Sequence, residues 1–228
     1  MDSDDRKTQR ATSDPTGFLS LPDKIRMNIY KRVLVVAHPL YLFQDAGSQM
    51  VESFAPERPS RWLALLYANR QVHDEASIVL YGSNHFTFMD TAHRQGGLLQ
   101  SFFNCIGSLN AGLLSHLTIN FPVAENVEGQ SGTVILGKDD AYSLRLLKEN
   151  CASLTTLETV ISGRNYTRLI NAGDNDSKFI REALSQIDTQ LKAVSSLKKV
   201  IVRYYDGTPT PLVVELMQGL GWVILRGR

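Results

Sequence analysis

Apolar residues recur along this chain with two different periods, and each change of period marks an element. Positions 1–17 carry Asp, Arg, Lys, Ser and Thr with no periodic apolar residue, which predicts a disordered tail. In "GFLSLPDKIRMNIYKRVLV", Ile25, Ile29 and Val33 then fall four apart on one helix face. Pro22 stands where a first helical turn tolerates proline. His38-Pro39 ends that helix, and "HPLYLFQD" reads as an edge strand followed by a polar connection through "APERPSR". In "LLYANRQVHDEASIVLYGSNHFTF", Leu65, Ala68, Val72, Ala76 and Val79 form a second helical stripe, with Arg70, Asp74 and Ser77 pointing the other way. Gly82 and Asn84 close this helix before the alternating strand "HFTF".

Beyond residue 95 the pattern repeats. "LLQSFFNCIGSL" predicts a helix leading into the strand "SHLTINF", "DAYSLRLLKENCASL" leads into "TTLETVIS", and "SKFIREALSQIDTQLKAVSSL" leads into "KKVIVRYY". A last helix, "PLVVELMQGLG", leads into "WVILRG". Leu117, Leu157 and Leu197 introduce the first three of these strands at intervals of 40 residues. Helix-strand alternation at that period predicts right-handed parallel units stacked side by side. The period exceeds the roughly 20 to 29 residues of a standard leucine-rich repeat, so the units are leucine-rich-repeat-like and irregular. A compact open α/β sheet built from the same units fits the pattern equally. The expected fold is α/β, with a helical module at 18–95 containing an inserted strand or hairpin. It packs on a helix-strand region at 96–228 with a mainly parallel sheet, and the two regions could form one integrated domain.

Composition adds mainly exclusions. With 43% hydrophobic and 21% charged residues in 228, the chain has the make-up of an ordinary globular protein. A net charge of +1 gives no bulk attraction for nucleic acid or an anionic membrane. The aliphatic run "VLVVA" at Val33 to Ala37 is far short of the roughly 20 residues that span a bilayer. The polar N-terminus lacks the apolar core of a secretory signal, so a cytoplasmic or nuclear location is expected. Cys105 and Cys151 each fall inside a predicted helix and read as buried thiols.

The local motifs are weak as chemistry. His73, Asp74 and Glu75 are consecutive, so on a helix they diverge by about 100° each and cannot converge on one ion. "GTVILGKD", Gly132 to Asp139, mimics a phosphate-binding loop. It has Asp139 where a magnesium-binding hydroxyl is needed, and Asp139 or Asp140 reads instead as a helix N-cap. His38, His73, His85, His93 and His116 sit on different elements with no pair at a local metal-ligand spacing. Lys198, Lys199 and Arg203 lie near Tyr204 and Tyr205, but strand alternation gives much of that charge to a solvated face. No catalytic residue, cofactor or metal ligand is assigned.

Two segments together carry a resemblance. "LSLPDKIRMNIYKRVL" resembles the first helix of an F-box, which begins with Leu-Pro, an acidic or polar residue and a row of aliphatics. "LLYANRQVHDEASIVLYGSNHFTF" resembles the second half of a fungal F-box-like family with an Asn-Arg-Gln core, Glu-Ala and Tyr-Gly-x-Asn-x-Phe. "FFNCIGSLNAGLLSHLTINF" is similar to that family's next helix and strand, so the likeness covers residues 18–121. The resemblance implies that Leu21, Pro22, Ile25 and Ile29 contact a Skp-type adaptor of a cullin-RING ubiquitin ligase, while the C-terminal units hold a substrate protein. Leu40 to Arg61 interrupts the compact three-helix F-box pattern, and a purely structural role for these aliphatics is the competing expectation.

The leading expectation is therefore a non-enzymatic intracellular protein-protein interaction module, in its stricter form a ubiquitin-ligase substrate receptor with Pro22 and Ile25 exposed. The alternative is an enzyme or ligand-binding protein with a site at the strand ends near "HLTINF" and "TLETVIS". A nucleic-acid binder ranks third and would show a basic face including Lys198, Lys199 and Arg203.

Overall fold

Six strands run parallel, side by side, in the order in which they occur in the chain. In the computed structural model they are β1 (Leu40–Phe43), β3 (His85–Phe88), β4 (His116–Asn120), β7 (Thr156–Ile161), β8 (Lys199–Tyr204) and β9 (Val223–Arg226). β2 (Glu52–Phe54) adds an antiparallel edge beside β1, and β5 (Ala124–Asn126) pairs with β6 (Val134–Leu136) in a separate hairpin. The structure describes residues 17–45, 47–48, 50–56, 60–90, 94–126, 134–162, 177–205 and 207–227. Nearly all of the expected N-terminal tail, His93 and the first residues of the phosphate-loop mimic lie outside them.

Among the described residues the α-helices are α1 (Asp23–Leu34), α2 (Arg70–Ser83), α3 (Gln95–Leu113), α4 (Lys138–Asn150), α5 (Ser177–Lys192) and α6 (Pro211–Gly219). Successive helices touch one another from α1 to α6. A doubly wound sheet covers both faces because its strand order reverses partway. Among the described residues this sheet never reverses, so right-handed crossovers deliver every connecting helix to the same side. The fold is α/β with a mainly parallel sheet, one helix-covered face and one open face.

The register explains the leucine spacing. Leu40, Phe86, Leu117, Leu157 and Val200 lie opposite one another across five strands and point toward the helices. The first four are buried in one hydrophobic cluster that also takes in Tyr30 from α1 and Trp222 before β9. Leu117 and Leu157 are direct partners, whereas Leu197 precedes β8 and Val200 takes the equivalent place. The sheet continues across residue 95, since β1 and β3 are its second and third strands. "HPLYLFQD" therefore forms an inner strand, with the edge position held by β2.

The second helical stripe is divided. Trp62–Tyr67 forms a 3-10 helix, and α2 starts only after Asn69, whose backbone is extended and whose side chain accepts the Val72 N–H at 3.0 Å. That cap replaces a bond the helix could not otherwise make, so it ends the continuity between Leu65 and Val72. Ser77, expected on the wet side, is buried. Gly107, at φ +78°, breaks α3 in a conformation costly for residues with a Cβ. Asp139 and Asp140 are not N-caps. Gly137 occupies that position, while Asp139 accepts the Gly96 N–H and Asp140 the Val123 N–H, both at 3.0 Å. Cys151 is buried and its thiol is pushed up to about 12 by desolvation, but Cys105 is exposed, against expectation.

Asn84 does more than stop α2. Its Oδ1 accepts the Val36 N–H, and its Nδ2 donates to the carbonyls of Leu34 and Leu80, all at 2.9 Å. One buried amide thus ties the ends of α1 and α2 together. Asn84→Ala is expected to lower the unfolding free energy by about 1.5 kcal/mol, because those backbone groups lose their partner away from water. An unchanged urea midpoint would contradict this.

Candidate functional site

Which way α1 faces is decided by an arginine. Arg26 is buried and sends Nε to Glu75 Oε2 at 2.8 Å and Nη2 to Glu75 Oε1 at 2.6 Å. Its remaining donors reach Asp23 Oδ1 at 2.7 Å and the Leu21 carbonyl at 2.5 Å. Glu75 also accepts from the Tyr30 hydroxyl at 3.0 Å and from Gln71 at 2.9 Å. The hydrogen bonds from Arg26 and then Gln71 hold the Glu75 carboxyl down to about 2, while burial and the bond to Glu75 push the Tyr30 hydroxyl up to about 12. Arg26, Tyr30 and Leu34 therefore form the inward face of α1.

The aliphatic row is on the outside. Ile25 is 45% exposed and Val33 36%, Pro22 is exposed, and Leu21 and Ile29 are half-buried. Ile25 and Ile29 thus lie with Val33 on the outward side of α1, and Leu21 and Pro22 immediately precede the helix; Pro22 and Ile25 are exposed, whereas a purely structural role would have placed them inside. Arg26, Tyr30 and Leu34 repeat with the same four-residue spacing, one position on, so the period alone did not choose between the two rows. Of the His73-Asp74-Glu75 triplet, only Glu75 turns inward; His73 is exposed, with Nδ1 2.9 Å from the Leu66 carbonyl, and Asp74 is exposed.

The open face of the sheet is the second candidate surface. A groove of about 610 Å³ runs along it, lined by Tyr41, Thr87, Thr118, Asn120, Val160 and Tyr205 among others. A neighbouring hollow of about 350 Å³ shares Tyr41, Thr87 and Thr118 and adds His85, Glu158 and Arg203. The hollow sits over a polar chain that crosses four strands. The His85 ring lies 3.7 Å from the His116 ring with an interplanar angle of 4°, and its Nε2 is 2.6 Å from Thr118 Oγ1. His116 Nε2 lies 3.1 Å from Glu158 Oε1, and Arg203 donates Nε–H to Glu158 Oε2 at 3.0 Å, with its Nη2 in an ion pair 3.0 Å from the same oxygen.

The electrostatics arise from this packing. Burial, reinforced by the neighbouring His116, lowers His85 to about 4. The hydrogen bond from His116, with the hydrogen bond and charge of Arg203, holds the Glu158 carboxyl well below its ordinary range despite its burial. Sequence spacing could not reveal this cluster, because His85 and His116 meet only through the parallel register that sets them opposite each other. Of the three expected basic residues, Lys198 and Lys199 are exposed while Arg203 is engaged by Glu158.

Comparison with protein-family models, with curated proteins and with solved structures finds no match for this chain. Among the described residues, no helix is long and apolar enough to cross a membrane.

Proposed function

We propose that the protein is a non-enzymatic protein-protein interaction module in which α1 docks a Skp-type adaptor and the open sheet face holds a second protein. In its full form this is the substrate receptor of a cullin-RING ubiquitin ligase, working in the cytoplasm or nucleus. The observation that carries the reading is the outward row of Leu21, Pro22, Ile25, Ile29 and Val33 on a helix pinned from behind by Arg26 and Glu75. Scattered surface aliphatics need no explanation, but a contiguous row on a rigid helix is suited to interface burial. Its rigidity matters because little ordering entropy remains to be lost on docking. The F-box resemblance of "LSLPDKIRMNIYKRVL" supplies the identity of the adaptor.

The test is a pull-down of the chain with a purified Skp-type adaptor. Ile25→Asp is expected to weaken binding about 30-fold, the scale of an interface hot spot, while the circular dichroism spectrum and melting temperature stay near wild type. Equal binding by wild type and variant would remove the adaptor role. A second reading, a ligand-binding protein or enzyme with its site at the strand ends, is favoured by the groove, which contains Asn120, Ser162 and Tyr205 at the carboxyl ends of β4, β7 and β8.

A further inference from the structure

We propose that His85, His116 and Glu158 form a binding site for one divalent ion of the zinc class on the open face of the sheet. This rests on no part of the adaptor reading. The three side chains come from three neighbouring parallel strands, and their ligand atoms all lie within 4.8 Å of one another. His116 Nε2 and Glu158 Oε1 are 3.1 Å apart. Two ligands bound tetrahedrally at about 2.0 to 2.2 Å from zinc are themselves roughly 3.3 to 3.6 Å apart, so the pair is close to the bite the ion requires, and the ion takes the place of the Nε2 proton that His116 shares with Glu158, which leaves to solvent or moves to Nδ1.

The third ligand needs a local change. Parallel rings direct their in-plane lone pairs side by side, so the stacked His85 and His116 do not yet converge on a point. Turning the His85 imidazole about its Cβ–Cγ bond, with His116 kept beside Glu158, opens the stack, and that torsion is broad and soft compared with an aliphatic one. The hollow beside His85 and Glu158 provides the space. His85 would exchange its Thr118 hydroxyl contact for the ion, a replacement of one polar bond by a stronger one.

The surroundings resemble a second shell. Glu158 keeps its other oxygen on Arg203, which fixes the carboxylate plane in the way that outer partners orient metal ligands. The Arg203 charge opposes a dication, so binding depends on direct coordinate bonds and not on bulk attraction. Two imidazoles and one carboxylate suit zinc, cobalt or nickel; magnesium and calcium prefer oxygen-only sets. Three protein ligands leave one tetrahedral position for water or for a carboxylate or imidazole of a protein lying in the groove.

The experiment uses the full chain, stripped with a chelator and dialysed, then titrated with Zn²⁺ by calorimetry and with Co²⁺ by visible absorption. One ion per chain is expected, with the absorption of tetrahedral cobalt and no displacement by excess Mg²⁺. His116→Ala and Glu158→Gln should each weaken binding at least tenfold, whereas His73→Ala, outside the cluster, should not change it. The absence of stoichiometric binding overturns the proposal, as does binding that His116→Ala and Glu158→Gln leave intact. Should a variant fail to fold, ring-nitrogen resonances of the wild type decide: zinc must shift His85 and His116, and shifts confined to other histidines overturn the site. Adaptor binding through α1 is read separately, so failure of either idea leaves the other standing.

Discussion

At neutral pH the Glu75→Gln chain is expected to melt about 8 °C below the wild type. The substitution preserves shape and removes a charge that a buried guanidinium needs. Arg26 would keep Asp23, which is almost fully exposed, and the Leu21 carbonyl, but it would lose the two-pronged carboxylate that compensates its desolvation. Breaking one side of a buried pair costs more than the pair itself contributes, because the remaining charge stays out of water. The effect has a pH signature whose sign is fixed. Glu75 is lowered from 4.5 to about 2, so its contribution is fully present above about pH 4.5 and is lost as pH falls toward 2. The variant lacks that titration, and the gap between the two melting temperatures should close across this window. Glu158 titrates in both proteins and cancels in the difference. A pH-independent gap, or one under about 2 °C at neutral pH, would show that Arg26 draws nothing particular from Glu75.

Leu117→Ala is expected to cost about 3 kcal/mol, near 10 °C in melting temperature. Leu117 has no exposed surface and lies in the middle strand of the sheet, between Phe86 and Leu157 in the helix-facing row. Removing its branch deletes transfer free energy and leaves a cavity that neighbours on both sides, held by strand pairing, cannot readily close. Ile25→Ala removes a side chain of similar size from α1 and should cost well under 1 kcal/mol, since Ile25 is nearly half exposed. The comparison is made by urea unfolding, with a shifted midpoint and an unchanged slope. If Ile25→Ala proved as damaging as Leu117→Ala, α1 would owe its position to the aliphatic row and not to Arg26.

These two substitutions also show what could be read from the sequence. Leu117 and Leu157 stood out through their spacing because a parallel, sequentially ordered sheet repeats its inward positions at the length of one unit. The helices and strands were legible for the same reason: each obeys a local period. The direction of α1 was not, since aliphatics outside and an arginine inside invert the usual preference, and only a partner distant in sequence, Glu75, makes the inversion tolerable. Leu21, Pro22, Ile25 and Ile29 were identifiable as a group, but the exposure of Pro22 and Ile25 followed only from the resemblance, since the helix period fits a core role equally. The His85-His116-Glu158 cluster was hidden more deeply. Its members are ordinary residues on their own strands and acquire a shared environment only when the register is known.

The unreversed strand order also governs how a disturbance spreads. In a sheet whose neighbours in space are neighbours in sequence, each unit leans on the one before and the one after, much as in a row of books. Loss of β9 removes an end and leaves the rest supported, whereas a lesion at β4 parts the N-terminal units from the C-terminal ones. Cohesion is therefore graded from the middle of the row outward, and the outermost units are the parts this protein can loosen without coming apart.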